Sequence, residues 1–324
     1  MKILVTGGAG YIGSTVATQL VEAGHEVVVL DLVANSARIF LPAQVRLIEG
    51  DIAQLQHYIT KDDGIEAVLH LAAHLSAGES MQVPEKYWHN NTVGTLRLLD
   101  AMRELGIRKL IFSSTAAVYG NPKETPITEE SEKNPTNTYG MTKLATDMAI
   151  TSECIAHGLA AISLRFFNVA GAYGLCGERH DPETHIIPLA FEAITGKRDG
   201  FMLFGDDYPT EDGTCVRDYI HVSDLAKAHI LALGALTPGK HDIFNLGNGN
   251  GFSNRQVVAA VEKVTGRQLP VAVAPRRAGD PAVLIASSQK ARDVLGWQPE
   301  KAGLEEIIGD AWKFYTQQQV DGRH

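Results

Sequence analysis

At 324 residues, with 44% hydrophobic and 21% charged residues, the chain has the composition of a globular protein long enough to divide into two lobes. A formal charge of −9 speaks against nucleic acid or an anionic membrane as partner, while leaving room for a small anionic substrate held by a few gathered arginines. The three cysteines, Cys154, Cys176 and Cys215, form no CxxC pair, the opening "MKILVTGGAG" is unlike a signal peptide, and no run of eighteen apolar residues occurs; a cytoplasmic protein is expected.

In chain order, "KILVTG", "EVVVLD", "VRLIEGD", "AVLHLAA", "KLIFSS" and "AAISLRFFN" read as buried strands. Between them, stretches such as "STVATQLVEAG" and "NTVGTLRLLDAMRELG" carry apolar residues at helical spacing and end in glycine. Such alternation implies right-handed crossovers and an α/β fold: a doubly wound parallel sheet of the Rossmann type. Residues 1–170 are expected to form this domain, with returning segments at about 217–249 that include "RDYIHVSDLAKAHILAL" and "DIFNLGNG". Residues 171–216 and 250–324, richer in loops, are expected to form a smaller α/β lobe.

The first strand runs into "GGAGYIG", where Gly7, Gly10 and Gly13 are spaced GxxGxxG ahead of a helix. Glycines there let the backbone turn tightly and approach a pyrophosphate seated on the helix N-terminus. The second strand ends in Asp31, whose carboxylate suits both hydroxyls of an adenosine ribose and repels a 2′-phosphate. Leu32 follows where an arginine would favour the phosphate, so the expected cofactor is NAD. Asp51 and Ile52, Leu71, Ala72 and Ala73, and Asn91 end strands or begin helices on the same side, although turn chemistry alone also accounts for them. His70 and His74 are four apart, but one falls in a strand and the other in the loop after it, so no metal site is expected.

"NPTNTYGMTK" places Tyr139 and Lys143 four apart at the start of a helix, on one face. A phenol is a poor base at neutral pH, and a neighbouring ammonium favours its ionised form. The preceding strand ends in "FSSTAAVYG", which brings Ser113, Ser114 and Thr115 to the cofactor side, where a hydroxyl can bond the oxygen whose proton the tyrosine removes. A hydroxyl, a phenol and a lysine beside NAD suit hydride transfer at a carbinol carbon.

Together these motifs resemble the extended short-chain dehydrogenase/reductase superfamily. "LRFFNVAGA", "FGDDYPTEDGTCVRDYIHVSDLA", "FNLGNG" and "RRAGDPAVLIAS" narrow the resemblance to the UDP-glucose 4-epimerase family, from Met1 to about Trp312. The resemblance implies reversible C4 epimerisation of UDP-galactose and UDP-glucose through a transient 4-keto sugar, with the hydride kept on tightly bound NAD. It also implies a homodimer, paired through the helices beginning near Asn91 and Thr138. By motif position, Tyr139 is the catalytic base, Lys143 tunes it and binds NAD, and Thr115 bonds the sugar 4-hydroxyl. NAD is held by Tyr11, Ile12, the loop from Asp31 to Ser36 with Asn35, and by Asp51, Ile52, Leu71, Asn91 and Phe167. The second lobe becomes the UDP-sugar lobe, with contacts from Asn168, His185, Met202, Leu203, Phe204, Arg217, Arg277 and Asp280. Read singly, either arginine is also a surface ion pair. Leu284 falls where the family borders the sugar C2 substituent: a tyrosine there excludes N-acetylated sugars and a cysteine admits them. Its place in "AVLIA" equally reads as an apolar strand residue.

Three departures stand out: Thr115 replaces a common serine, His185 replaces an asparagine of some relatives, and Leu75 stands where some members carry a lysine. A nucleotide-sugar 4,6-dehydratase would need an acid pair after the hydroxyl residue, where this chain has Ala116 and Ala117. A catalytically dead NAD-binding protein would be expected to lose Tyr139 or Lys143. Epimerases of other UDP-sugars, including N-acetylated sugars and UDP-glucuronate, are the alternative.

Overall fold

In a computed structural model, residues 1–32, 40–277 and 280–321 are described. Thirteen strands follow in order among them: β1 (Lys2–Thr6), β2 (Glu26–Asp31), β3 (Arg46–Glu49), β4 (Ala67–His70), β5 (Lys109–Thr115), β6 (Ala160–Phe166), β7 (Asn168–Ala170), β8 (Phe201–Phe204), β9 (Val216–His221), β10 (His241–Leu246), β11 (Gly251–Ser253), β12 (Val271–Ala274) and β13 (Val283–Leu284). Seven make one parallel sheet in the order β10-β6-β5-β4-β1-β2-β3. The order reverses beside β1, which opens a crevice at the carboxyl ends of β1 and β4.

The strands are apolar on both faces because helices cover both. Ile3, Val5, Val29 and Leu69 face one side and pack on the Tyr11–Glu22 and Val222–Ala235 helices through Val16, Leu20 and Leu225. Leu4, Val28, Val68 and Leu110 face the other and meet Leu98, Met102 and Ile150 of the Gly94–Leu105 and Thr138–His157 helices. Those two helices start and stop where local chemistry dictates. Asn137 caps the second by accepting from the Gly140 amide at 2.8 Å, and Gly158 ends it in the left-handed region at φ +70°.

The remaining strands are short. β11, β9 and β13 form a mixed sheet that β7 joins through β9, and β8 pairs with β12. Their core gathers Ile187, Phe191, Phe201, Tyr219, Val257, Val261 and Ile307. Within the returning stretch, the Val222–Ala235 helix and β10 serve the large sheet, whereas β9 belongs to the small one. No helix among the described residues is long and apolar enough to cross a membrane.

Candidate active site

The glycine turn sits where β1 ends. Gly7 has φ +72°, and a Cβ there would lie 2.5 Å from the Ala72 amide nitrogen, so only glycine lets the turn press against Leu71 and Ala72 beyond β4. A Cβ on Gly13 would stand 2.1 Å from the Gly7 carbonyl oxygen. Gly10 caps the helix that opens with Tyr11 and Ile12. Asp31 ends β2 and accepts from the Ala9 amide at 2.9 Å, which ties the acidic residue to the turn. This cradle, an open helix N-terminus and a carboxylate at the next strand end, fits a dinucleotide such as NAD. Asn35 and Ser36 lie outside the described residues.

Other residues expected near the cofactor have definite tasks of their own. Asp51 caps the helical turn Ile52–His57 by accepting from the Ala53 amide at 2.9 Å, and Ile52 is buried behind it. Asn91 is buried and brackets His74, accepting from its amide and donating to its carbonyl, both at 2.9 Å. It thereby fixes the loop of Leu71, Ala72 and Ala73 against the Thr138–His157 helix. The Tyr11 phenol donates to the Gly171 carbonyl at 2.6 Å and so spans from the glycine turn to the segment after β7. His70 and His74 do not come together as ligands: the His70 ring is engaged by Thr6 at 2.7 Å and Thr95 at 2.8 Å. Burial first, then the Lys143 charge, lowers its pKa to about 3.

At the end of β5 the expected trio does come together. Burial pushes the Tyr139 pKa up, and the neighbouring Thr115 side chain, the smaller influence, favours the ionised phenol. The Tyr139 amide donates to Ser80 Oγ at 3.1 Å, which fixes the start of its helix. Lys143 is buried, its Nζ donating to the Ser113 carbonyl at 2.8 Å and lying 4.6 Å from the Phe112 ring centre. Burial lowers its pKa to about 8. Ser113 and Ser114 turn elsewhere: Ser113 Oγ pairs with His229 Nε2 at 2.9 Å, and Ser114 Oγ donates to Asp147 at 3.2 Å. Thr115 is therefore the strand-end hydroxyl beside the tyrosine.

Across the crevice, Phe167 is buried in a small cluster with Val118, Tyr119, Ile127 and Ala286, against which Leu284 and Ala116 pack. Leu284 stands opposite Arg217 in the β13–β9 pairing. Arg217 is buried, with Nη2 on Asp280 at 2.7 Å and Nη1 on the Val216 carbonyl at 2.9 Å. Asn168 is exposed at the start of β7. On β8, alternation turns Met202 outward and Leu203 into the core, while Phe204 carries the exposed Arg277 guanidinium 4.1 Å from its ring centre.

Sequence reading missed a cluster in "GERHDPETH". His185 caps the Ile186–Thr195 helix and its Nδ1 meets Glu183 Oε1 at 2.8 Å, with Glu178 at 3.9 Å and His180 in contact with Glu178. Burial opposes a charge on His185, but Glu183 and Glu178 outweigh it and raise its pKa. Atoms of Glu178, His180 and His185 lie within 4.8 Å of one another, a grouping that could take a cation, and only the contrast between two histidines and two glutamates in nine residues hinted at it. Asp218 was missed as well. It accepts from the amides of Asn248, Gly249 and Ala286 at 2.7, 3.0 and 3.0 Å, pinning "FNLGNG" and "AVLIAS" to β9. The motif "RDYIHV" displayed this aspartate without revealing its partners.

Residues 3–247 match the NAD dependent epimerase/dehydratase family, and the chain belongs to that family. Within it, UDP-glucose 4-epimerase of Corynebacterium glutamicum is 56% identical over 97% of this chain and 95% of its own length. A UDP-glucose 4-epimerase structure from Stenotrophomonas maltophila, with bound NAD and formylated UDP-arabinopyranose, has a TM-score of 0.93 at 36% identity and covers 99% of both chains. One from Bifidobacterium longum, in complex with NAD+ and UDP, has a TM-score of 0.92 at 34% identity, covering 98% of this chain and 99% of that one.

Proposed function

We propose that the chain catalyses the reversible C4 epimerisation of UDP-galactose and UDP-glucose, with NAD as a resident cofactor, in the cytoplasm. The observation that carries the reading is the placement of Tyr139 and the buried Lys143, whose Nζ donates to the Ser113 carbonyl, at the Thr115 end of β5, in the parallel sheet whose β1 ends in the glycine turn. Relatives and solved structures bearing the UDP-glucose 4-epimerase name support the substrate pair over other UDP-sugars.

The C4–H bond of a sugar is not acidic, so inversion by simple deprotonation is closed; oxidation to a ketone makes the centre planar. Bound in the cradle, NAD supplies the hydride acceptor and donor for that oxidation and its reversal. Tyr139 takes the C4 hydroxyl proton at its phenol oxygen and returns it. Thr115 bonds the same hydroxyl and orients it. The Lys143 ammonium favours the ionised phenol against the burial that opposes it. Meanwhile Asn168, His185, Met202, Leu203, Phe204, Arg217, Arg277 and Asp280 hold the UDP portion, so that the keto sugar swings about its bond to the diphosphate without leaving. Arg217 meets the diphosphate in exchange for part of its bonding to Asp280. The acid pair of a 4,6-dehydratase is missing at the site, where Ala116 and Ala117 open a helical turn directly after Thr115.

The test is a coupled assay for UDP-glucose from UDP-galactose, alongside extraction of the nucleotide carried by purified protein. UDP-glucose formation with NAD recovered is expected; NADP as the main nucleotide, or no product, would overturn the reading.

A homodimer belongs to the same proposal. Met141, Met148 and Ile155 recur every seven residues on the Thr138–His157 helix and are 41%, 65% and 78% exposed. Val93 and Leu96, on and beside the adjoining Gly94–Leu105 helix, are exposed too. An apolar stripe of this kind suits a second copy of the same helix pair. Light scattering should give twice the chain mass for the wild type and the monomer mass for Met148→Glu; a monomeric wild type refutes the pairing.

A further inference from the structure

One turn beyond the proposed catalytic lysine lies a buried pair of opposite charges for which the reaction above has no task. Asp147 follows Lys143 by four residues on the Thr138–His157 helix, so the two side chains share a face. Both are buried. Asp147 Oδ2 accepts from Ser114 Oγ at 3.2 Å and from Arg165 Nε and Nη2 at 3.1 and 2.8 Å. Its Oδ1 is buried with no hydrogen-bond partner among the described residues. On the far side, Arg165 Nη1 donates to the Tyr119 oxygen at 3.1 Å, and Tyr119 donates to Asn245 Oδ1 at 2.7 Å.

A buried ion pair is a poor way to stabilise a fold, since apolar residues of similar volume commonly do as well or better. This one is also asymmetric. Every bond falls on one carboxylate oxygen, all the donors come from β5 and β6, and the negative end shares its helix face with the lysine.

We propose that Asp147 is a positioning residue that keeps Lys143 in its ammonium form, and that Ser114 and Arg165 hold the carboxylate in place for that task. The inference rests on the reading of Lys143 as partner of Tyr139.

Lys143 sits close to losing its proton. Burial lowers its pKa to about 8, and the Asp147 charge is what opposes the fall. The other titratable groups around the pair add little at neutral pH. His70 on β4 has its pKa lowered to about 3 by burial and by the Lys143 charge, so it is neutral. His241 on β10, bonded to Thr151 and Ser163, is lowered too, mainly by burial. Burial pushes the Tyr139 pKa up. Arg165 remains charged, with its positive end committed to Asp147. Because the ammonium is the useful form, activity falls as pH rises through the lysine pKa. Loss of the Asp147 charge lowers that pKa and moves the alkaline limb toward neutrality.

The experiment is kcat against pH, from 6 to 10, for NAD-loaded wild type, Asp147→Asn, Asp147→Glu, the double variant Asp147→Asn/Arg165→Gln, and Lys143→Met. The expected result for Asp147→Asn is an alkaline limb lower by about one pH unit or more, with activity down about fivefold or more at pH 8 and nearer to wild type at pH 6. Asp147→Glu should restore the wild-type limb. The double variant leaves no unpaired guanidinium in the core and should fold where the single variant does not; its limb should move in the same direction. A limb that stays put in Asp147→Asn, or in the double variant if the single one does not fold, overturns the proposal. So does an equal loss at every pH with a lower Tm, which marks a structural role alone. Full activity in Lys143→Met would instead defeat the reading of the lysine, a failure distinct from that of Asp147.

Discussion

Under the proposed function, the dinucleotide lobe and the second lobe would recognise nucleotides in different ways. In the first, long apolar strands buried on both faces bring backbone to the ligand: Gly7 and Gly13 leave room, and the start of the Tyr11–Glu22 helix offers its amides. In the second, strands of two to six residues present side chains, among them the exposed Asn168, Met202 and Arg277 and the ion-paired Arg217. Backbone recognition depends on fit and fails abruptly. Side-chain recognition is divided among many groups, so it weakens by degrees and can be retuned.

That contrast can be broken experimentally. Gly13→Ala should have the largest effect, because its methyl would stand 2.1 Å from the Gly7 oxygen; the purified protein should carry no NAD and show no activity. Normal NAD content after desalting would mean that the turn yields more easily than its geometry implies. Tyr139→Phe should retain NAD and UDP binding while losing about 10² to 10⁴ in kcat, the usual worth of a positioned base. A loss below tenfold with UDP binding intact would remove the tyrosine from that role. Arg217→Ala should act through the other lobe. Loss of a charge-assisted bond, about 1.5 to 3 kcal/mol, predicts UDP binding about ten- to 150-fold weaker with kcat little changed. Unchanged UDP affinity by calorimetry would return Arg217 to being only the partner of Asp280.

The smallest effect should be one of selectivity. Leu284 packs against the cluster containing Phe167 and stands opposite Arg217, between the two lobes. A leucine vacates space by changing rotamer more readily than a tyrosine ring. Wild type should turn over UDP-galactose efficiently and UDP-N-acetylgalactosamine weakly but measurably. Leu284→Tyr should lower the second activity about tenfold or more and leave the first within about threefold. No N-acetyl turnover by wild type at high enzyme concentration, or equal damage to both activities, would show that Leu284 does not gate the sugar.

The elements of the first lobe could be read from the sequence because each carries its own cause. "KILVTG" is apolar for two-sided burial, Gly7 and Gly13 mark a turn, and Asn137 caps the helix that bears Tyr139 and Lys143. What lay beyond reach were pairings made over long sequence separations. Nothing local says that Asp218 will gather amides from Asn248 and Ala286, or that Ser114 will turn to Asp147 while its neighbour Thr115 accepts from the Ala117 amide. The small sheet was obscure for the same reason. β9 draws partners from β7, β11 and β13, and strands of two or three residues are too short to show a period.

The place of β10 at the edge of the large sheet bears on how the protein is made. β6 ends at Phe166, and the strand that pairs with it along its length starts only at His241. A growing chain therefore holds "AAISLRF" with one open, apolar edge through the synthesis of everything from 167 to 240. Phe167 is held by the same strand, its amide donating to the Leu246 carbonyl at 3.2 Å. The ribosome must pass residue 246 before the large sheet can close, so a nascent chain stalled ahead of residue 241 exposes an open strand edge to its neighbours.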